Sequence, residues 1–438
     1  MKKFIYLLLF FGLFLSANNL DYLLKEFSQK SDLSQKTKIE NGGHLFIYTR
    51  NDLNSMQAKT LKDVLKSIPD FTYEESRFLY PDIYNSQAIS FNSSTMRLYL
   101  DNQELVSGNF GSGLPLYGNM SLGFIDHIEV YLGSPSFKFT TEAALLIVKL
   151  YTKTSKRDLG ARFKTVIGDD NYKQSYINYI DYLKDDSRYQ LFFDFTDDKQ
   201  DKTLHKNTKL SKDKKNTHFF LKMEKDSLKA NIQALNQTND AYINLSKDGT
   251  PLDSSITSDV YDFNIEKTIL NDKITLSLNH SIIDTTLDFK DDNPIYLGAN
   301  TYYKKTRENV TTLKAIYENK IENHNIFSGV DIRRKDIDFK NTNQAYDLQT
   351  VSSIYFQDEY WLNDKSILTF GLKYYKSANN GQIADAYGNT LRLGHIYNNN
   401  NFTFKTYYSD TDMMNEPYLV TSTYGNPNLK KTSVRLIS

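Results

Sequence analysis

Residues 366–375, SILTFGLKYY, alternate with period two: Leu368, Phe370, Leu372 and Tyr374 oppose Thr369, Gly371 and Lys373. That is the signature of a β-strand with one apolar and one polar face. The pattern recurs at Ile274, Leu276 and Leu278 against Lys273, Thr275, Ser277 and Asn279, and at Phe402 and Phe404 against Thr403 and Lys405. From about Gly160 onward the chain consists of such segments. In water they would bury their apolar faces in a sandwich core. In a lipid barrel they turn those faces outward and line the lumen with polar ones. Alternation is common to both.

Connection lengths separate the two. Tight turns fall at 184–187, 225–227, 271–272, 322–323, 363–364 and 398–400. Long polar connections lie between them, at 198–215, 238–258, 285–301, 338–348, 377–388 and 410–430. Short and long joins alternate over about thirteen strands, as in an up-and-down barrel with turns on one rim and loops on the other. A soluble sandwich has no reason to sort its loops this way. The first join, 168–171, is the exception, being short on the loop side.

The rest of the composition does not decide between barrel and sandwich, since many Tyr in a polar chain also fit a soluble β-protein. The 438 residues carry 53 basic and 53 acidic side chains, a balance unlike that of nucleic-acid binders. No cysteine is present, which excludes disulfides and thiolate chemistry. Thirty-two Tyr and 27 Phe stand beside a single Trp, and both favour strands, with Tyr suited to membrane interfaces.

Lys2 and Lys3 precede the apolar run 4–15, followed by Ser16 and Ala17, the form of a secretory signal over 1–17. The run is short of the roughly 20 residues of a spanning helix, and nothing after residue 17 is apolar enough to be one. A membrane protein with this sequence must therefore cross as strands.

Residues 18–43 read as a polar periplasmic segment, helical over 20–27, and residues 44–157 as a compact α+β unit. In that unit 45–48 is a short strand. A helix follows in which Thr60 and Asp63 form a capping box, Leu61, Val64, Leu65 and Ile68 give the apolar face, and Pro69 is the stop. Strands are expected at 96–100 and 127–132, joined by Gly-, Ser- and Asn-rich loops. Residues 158–438 are the barrel.

Several stretches resemble the TonB-dependent outer-membrane receptors. NDLNSMQAKTLKDVLKSIPDF (51–71) is similar to the early segment of the family's plug, and MRLYLDNQEL (96–105) to the plug strand and turn that follow. FIDHIEVYLGSPSFKFTTEAALLIVKLYTK (124–153) resembles the closing plug signature. Ile128, Glu129 and Val130 match its Ile-Glu-Val core, and Gly133, Pro135 and Ser136 its turn. YFQDEYWLNDKSILTFGLKYY (355–375) is similar to a mid-barrel hairpin, and Asn426, Pro427, Asn428, Leu429 and Lys430 match the family's Asn-Pro-Asn-Leu-Lys loop. Phe139-Thr140 and Ala143-Ala144 stand where the family has Tyr-Gly and Gly-Gly, and no energy-coupling box is evident near the start.

The resemblance implies an outer-membrane receptor for active uptake of a scarce ligand, of the ferric siderophore, haem or cobalamin class. It also implies a monomer in outer-membrane lipid, driven by an inner-membrane TonB-type complex. It implies 22 barrel strands, a class of plugged barrel known generally. Here about thirteen complete strands fit, and a fourteenth begins near Thr432. An open sheet edge in lipid leaves unpaired backbone groups at several kcal/mol each. The expectation is therefore a truncated or split copy, a non-functional one included. The alternative is a closed 14-stranded barrel whose last strand, at about seven residues, falls under the usual nine to eleven.

No chemistry is expected. The seven histidines (44, 127, 205, 218, 280, 324, 395) lack metal-ligand spacing and read as solvated surface or lumen positions. Glycines 108, 111, 113 and 118 miss dinucleotide spacing and read as a flexible plug loop, and 197–215 reads as a solvated loop. No catalytic set, metal site or cofactor site is nominated, and ligand-binding residues are not assigned. Two rivals stay open: a passive outer-membrane barrel (channel or adhesin), which would lack the 44–155 unit, and a secreted soluble β-sheet binding protein.

Overall fold

The computed structural model describes residues 44–437 apart from 70, 76–80, 86–94, 134–135, 138–141, 143, 186, 200–202, 206–207, 246–250, 290–304, 341–347, 381–384, 400–401, 418–419, 421–425 and 427. The expected signal peptide, the 18–43 segment, Pro135 and Pro427 lie outside the described residues.

The first part is a small α+β unit. Strand β1 (His44–Tyr48) leads into helix α1 (Arg50–Ser55), and α2 (Leu61–Leu65) follows. Each helix starts with a capping box: Thr49 with Asp52, and Thr60 with Asp63. Two orphan N–H groups are thereby satisfied at each start. Helix α2 ends at Leu65 rather than reaching Pro69, yet Ile68 is still buried on the expected face. A hairpin of β2 (Phe71–Glu75) and β3 (Pro81–Asn85) comes next. It is followed by β4 (Met96–Leu100), β5 (Gln103–Leu105), the short helix α3 (Leu114–Tyr117), β6 (Ile125–Leu132) and β7 (Leu146–Thr152). The order β1-β6-β7-β4-β5 makes a mixed sheet in which only β4 and β7 run parallel.

The second part is a single 14-stranded antiparallel sheet. It begins with β8 (Gly160–Ile167), β9 (Lys173–Tyr182) and β10 (Arg188–Asp198). After a small hairpin of β11 (Thr203–His205) and β12 (Thr208–Leu210) come β13 (Lys214–Lys225), β14 (Leu228–Leu245), β15 (Pro251–Ile269), β16 (Ile274–Phe289) and β17 (Lys305–Ile321). The last six are β18 (His324–Lys340), β19 (Leu348–Asn363), β20 (Ser366–Asn379), β21 (Ala386–Asn399), β22 (Phe402–Met413) and β23 (Thr432–Ile437). Each strand of this sheet pairs with the one before and the one after it in chain order, β10 with β13 across the separate β11–β12 hairpin. Among the described residues β8 and β23 each have one partner strand, so the fourteen do not close on themselves.

Register aligns the two faces across strands. Ala315 pairs with Val330, Val330 with Ile354, and Ile354 with Tyr374, making an outward apolar row. Val330, Ile354 and Tyr374 are about half exposed, at 49%, 58% and 45%. One residue on, Lys314, Asp331, Ser353 and Tyr375 pair into an inward row whose last three members are buried. Apolar exposure outside and polar burial inside invert the order of a water-soluble protein.

The inner wall does not surround an empty pore. Phe192, Phe220, Leu235, Val260 and Ile283 of the barrel join Leu61, Val64, Leu98, Phe124, Ile128 and other plug residues in one hydrophobic cluster. Phe124 stacks on Phe192 with ring centroids 4.6 Å apart and lies 4.9 Å from Phe220.

Two expectations need correction. The long connections are shorter than read: β14 runs to Leu245 and β15 starts at Pro251, so most of 238–258 is strand. Here polar residues dilute the alternation, as in the cross-strand pair of Thr238 with Thr257, whose hydroxyls lie 3.1 Å apart. The 197–215 run is likewise not all loop, since it holds the β11–β12 hairpin.

Candidate functional site

The contacts that bind the plug to the barrel wall concentrate in two ionic clusters. The first is centred on Arg97 of β4, which is 2% exposed. Its guanidinium meets Glu142 at 3.2 Å and Glu416 at 3.3 Å, approaches Glu104 at 3.9 Å, and donates to the Gly111 carbonyl. From β18, Arg333 reaches Glu104 at 2.5 Å and Glu142 at 3.0 Å. Two residues on, Lys335 reaches Glu142 at 3.0 Å and Glu416 at 2.8 Å. Arg333 and Lys335 share the inward face of one strand and are fully buried.

Three cations thus meet three carboxylates, supplied by the plug, the barrel wall and the β22–β23 connection. Burying each ion costs several kcal/mol, recovered only through near-complete pairing. Burial alone would raise the Glu104 and Glu142 carboxyls. The Arg97, Arg333 and Lys335 charges outweigh that and hold both below the usual carboxylate range.

The second cluster sits where the plug passes into the barrel. Arg50 of α1 pairs with Asp126 of β6 and, at 2.8 Å, with Asp158. Arg157 also pairs with Asp126, and Arg162 of β8 reaches Asp158 at 2.9 Å. Burial opposes ionisation of Asp126, but its bond to His127 and the two arginines hold its carboxyl well down.

Further polar and ionic contacts complete the ring. Glu308 of β17 accepts from Ser107 Oγ at 2.9 Å and from the Asn109 amide at 3.2 Å, and Asp262 of β15 accepts from the Tyr117 hydroxyl. Asn102 donates to Glu266 at 3.0 Å, and Lys222 pairs with Asp101 at 2.9 Å.

The signature residues fall partly on this interface. Ile128 and Val130 are buried in the hydrophobic cluster, while Glu129 accepts from the Tyr131 and Tyr151 hydroxyls. Gly133 has φ +102°, and Ser136 donates to Gln357 of the barrel at 3.3 Å. Asn426 accepts from the Asn428 amide at 3.0 Å, and the Leu429 carbonyl accepts from Asn415 at 2.8 Å, so these residues fold back on their own connection. Lys430 is exposed.

Glycines 108, 111, 113 and 118 are not a flexible loop. All four are buried, and an added Cβ at Gly111, Gly113 or Gly118 would fall within 2.4 Å of Glu416, the Leu105 carbonyl or Pro81. Gly113 and Gly118 permit close packing within the plug, while Gly108 and Gly111 lie against Val310 of β17 and Glu416. Nor are all histidines solvated: His127 is stacked on Tyr151, and His218 lies buried 3.2 Å from Gln233. No group of residues suited to hold a metal ion occurs among the described residues.

A small α+β plug seated within an up-and-down antiparallel sheet, with an apolar exterior and ionic contacts inside, is the fold of the TonB-dependent outer-membrane receptors. No family model and no curated protein matches the sequence. Solved structures match the fold. The Pseudomonas aeruginosa receptor FpvA, in complex with a ferric pyoverdine, shares 13% identity over 90% of this chain and 59% of its own, with a TM-score of 0.63. The P. aeruginosa ferric enterobactin receptor PfeA shares 12% over 91% and 68%, with a TM-score of 0.66. The Yersinia pestis ferric yersiniabactin uptake receptor FyuA shares 12% over 85% and 65%, with a TM-score of 0.59. The chain thus spans about three-fifths of the FpvA chain.

Proposed function

We propose that this protein is an outer-membrane receptor that takes up an iron chelate by energy-coupled transport, and that it is not an enzyme. The observation that carries the reading is the plug held in the lumen by removable polar contacts. A passive channel needs no such obstruction. A soluble binding protein would not expose Val330, Ile354, Phe356, Leu372 and Tyr374 side by side.

The solved receptors of this fold are named for ferric pyoverdine, ferric enterobactin and ferric yersiniabactin, which favours a ferric siderophore over haem or cobalamin here. In this reading the loops and plug face the medium and capture the chelate. Pulling from the periplasmic side by a TonB-type complex then breaks the two ionic clusters. Of the signature residues, Ile128 and Val130 anchor β6 in the plug core and Ser136 docks on the wall, a structural role.

The test is uptake of radiolabelled ferric siderophores by cells that carry the full-length gene, with and without a protonmotive force. Accumulation that collapses with an uncoupler supports the proposal. Equal entry in energised and uncoupled cells would sink it.

A further inference from the structure

The outward face of the barrel is not evenly filled. In one register row Tyr317 pairs with Ser328, Ser328 with Phe356 and Phe356 with Leu372. In the next row toward the loops Ala315 pairs with Val330, and Val330 with Ile354. Ser328 and Ala315 are small side chains among large ones, and the wall sinks there into an apolar groove of about 710 Å³.

Toward the turn rim the same strands change chemistry. One row below Ser328, Asp358 stands between Ile326 and Phe370, and the row below that sets His324 opposite Tyr360. His324 Nδ1 donates to Asp358 Oδ2 at 2.7 Å, and its ring stacks on Tyr360 with centroids 4.6 Å apart. The His324 and Asp358 side chains are 44% and 22% exposed, so the pair is reached from outside. Asp358 is the only carboxylate on the outward face of β17 to β20 in these four rows, among the described residues. An ionised side chain facing lipid is costly unless a partner neutralises it. His324 gives Asp358 a hydrogen bond, and a cation would complete the compensation. A row is two residues, about 7 Å of strand, so Asp358 lies about 7 Å and His324 about 13 Å below the level of Ser328.

We infer that β17 to β20 hold one phospholipid of the turn-side leaflet. Its acyl chain fills the groove over Ser328 and Ala315. Its headgroup carries a primary ammonium, which sits on Asp358, and its phosphate lies beside His324 and Tyr360. The occupant is a lipid because the groove continues the outward apolar rows that the bilayer covers. The polar pair is also offset from the groove along the strand axis, as a headgroup is from its chains. The inference needs the membrane location alone and not the transport activity.

The experiment is native mass spectrometry of the full chain in mild detergent, with phosphatidylethanolamine or phosphatidylglycerol of matched chains added in turn. Wild type should retain one phosphatidylethanolamine, at least about tenfold more tightly than phosphatidylglycerol. Asp358→Asn should abolish that preference, and Asp358→Glu should keep it. Ala315→Phe, which fills the groove floor, should weaken both lipids by about tenfold or more. Leu191→Phe, on the outward face of β10, is the control and should change neither. On unmutated protein, a phospholipid with a photoreactive acyl chain should cross-link to β17–β20, a readout that no folding defect of a variant can disturb. Equal retention of the two lipids by wild type, an unchanged preference in Asp358→Asn, undiminished binding by Ala315→Phe, or cross-links spread evenly round the barrel each overturn the site. Headgroup-selective retention beside uptake that ignores the protonmotive force leaves the site standing and the receptor reading fallen. Energised uptake without selective retention does the reverse.

Discussion

Gly111 shows at the scale of one residue how tightly the plug is seated. Its φ is +81°, where a side chain is strained, and a Cβ there would lie 2.0 Å from Glu416 Oε1. Gly111→Ala must therefore push the carboxylate off Lys335 and Arg97 as well as strain the backbone. Gly160 is a natural comparison, with φ +92° and nothing within 4 Å of its added Cβ. Gly160→Ala should cost only backbone strain, about 1–3 kcal/mol. Gly111→Ala should cost more, by the penalty of leaving buried charges short of a partner. Thermal unfolding in detergent, with limited proteolysis of the plug, would read the difference; equal destabilisation by the two variants would show that Glu416 does not hold the plug. Little of this was legible beforehand. Arg333 and Lys335 could have been noticed as two cations on one face of a strand, but their partner Glu142 is about 190 residues away. Nothing local distinguishes a cation that meets such a partner from one that faces water.

Alternation was readable at the scale of the strand because lipid enforces it. Leu368, Phe370, Leu372 and Tyr374 are 39–49% exposed, while Thr369 and Lys373 are 5% and 4% exposed. Outside the lipid-facing zone polar residues dilute the alternation, and there the strand ends were misread as loops, as at 238–258. The plug helices were legible where a capping box preceded an apolar face, as at Thr60. The box at Thr49 and Asp52 precedes RNDLNS, whose one apolar residue is Leu53, so no apolar face marks that helix in the sequence. The same physics gives a direct test of the lipid-facing surface. Leu372→Lys places a charge on the outward row and should cost about 2–4 kcal/mol if that row lies at the bilayer midplane. In a water-exposed sheet it would cost next to nothing, since Leu372 is already half exposed. Folding titrations into lipid vesicles would decide; a Leu372→Lys variant as stable as wild type would remove the membrane reading of β20.

For the molecule as a whole, the plug is held by contacts that are strong together and weak once separated. The aromatic stack of Phe124 on Phe192 and Phe220 is insensitive to charge, whereas each ionic cluster loses its balance when one member leaves. Release should therefore be concerted, and a single covalent tie should block it. The chain has no cysteine, so two introduced thiols would be the only ones present. Ser107 of the plug and Glu308 of β17 are in hydrogen-bond contact at 2.9 Å. Ser107→Cys with Glu308→Cys, joined by a short cleavable bis-thiol reagent, should leave ferric chelate binding near that of the uncross-linked protein. Energised uptake should fall by at least about tenfold and return when the link is cleaved, with each single cysteine variant unaffected. Full uptake through the linked protein would mean that the plug does not leave this part of the wall, and that the ionic clusters are fixed scaffolding rather than contacts broken in transport.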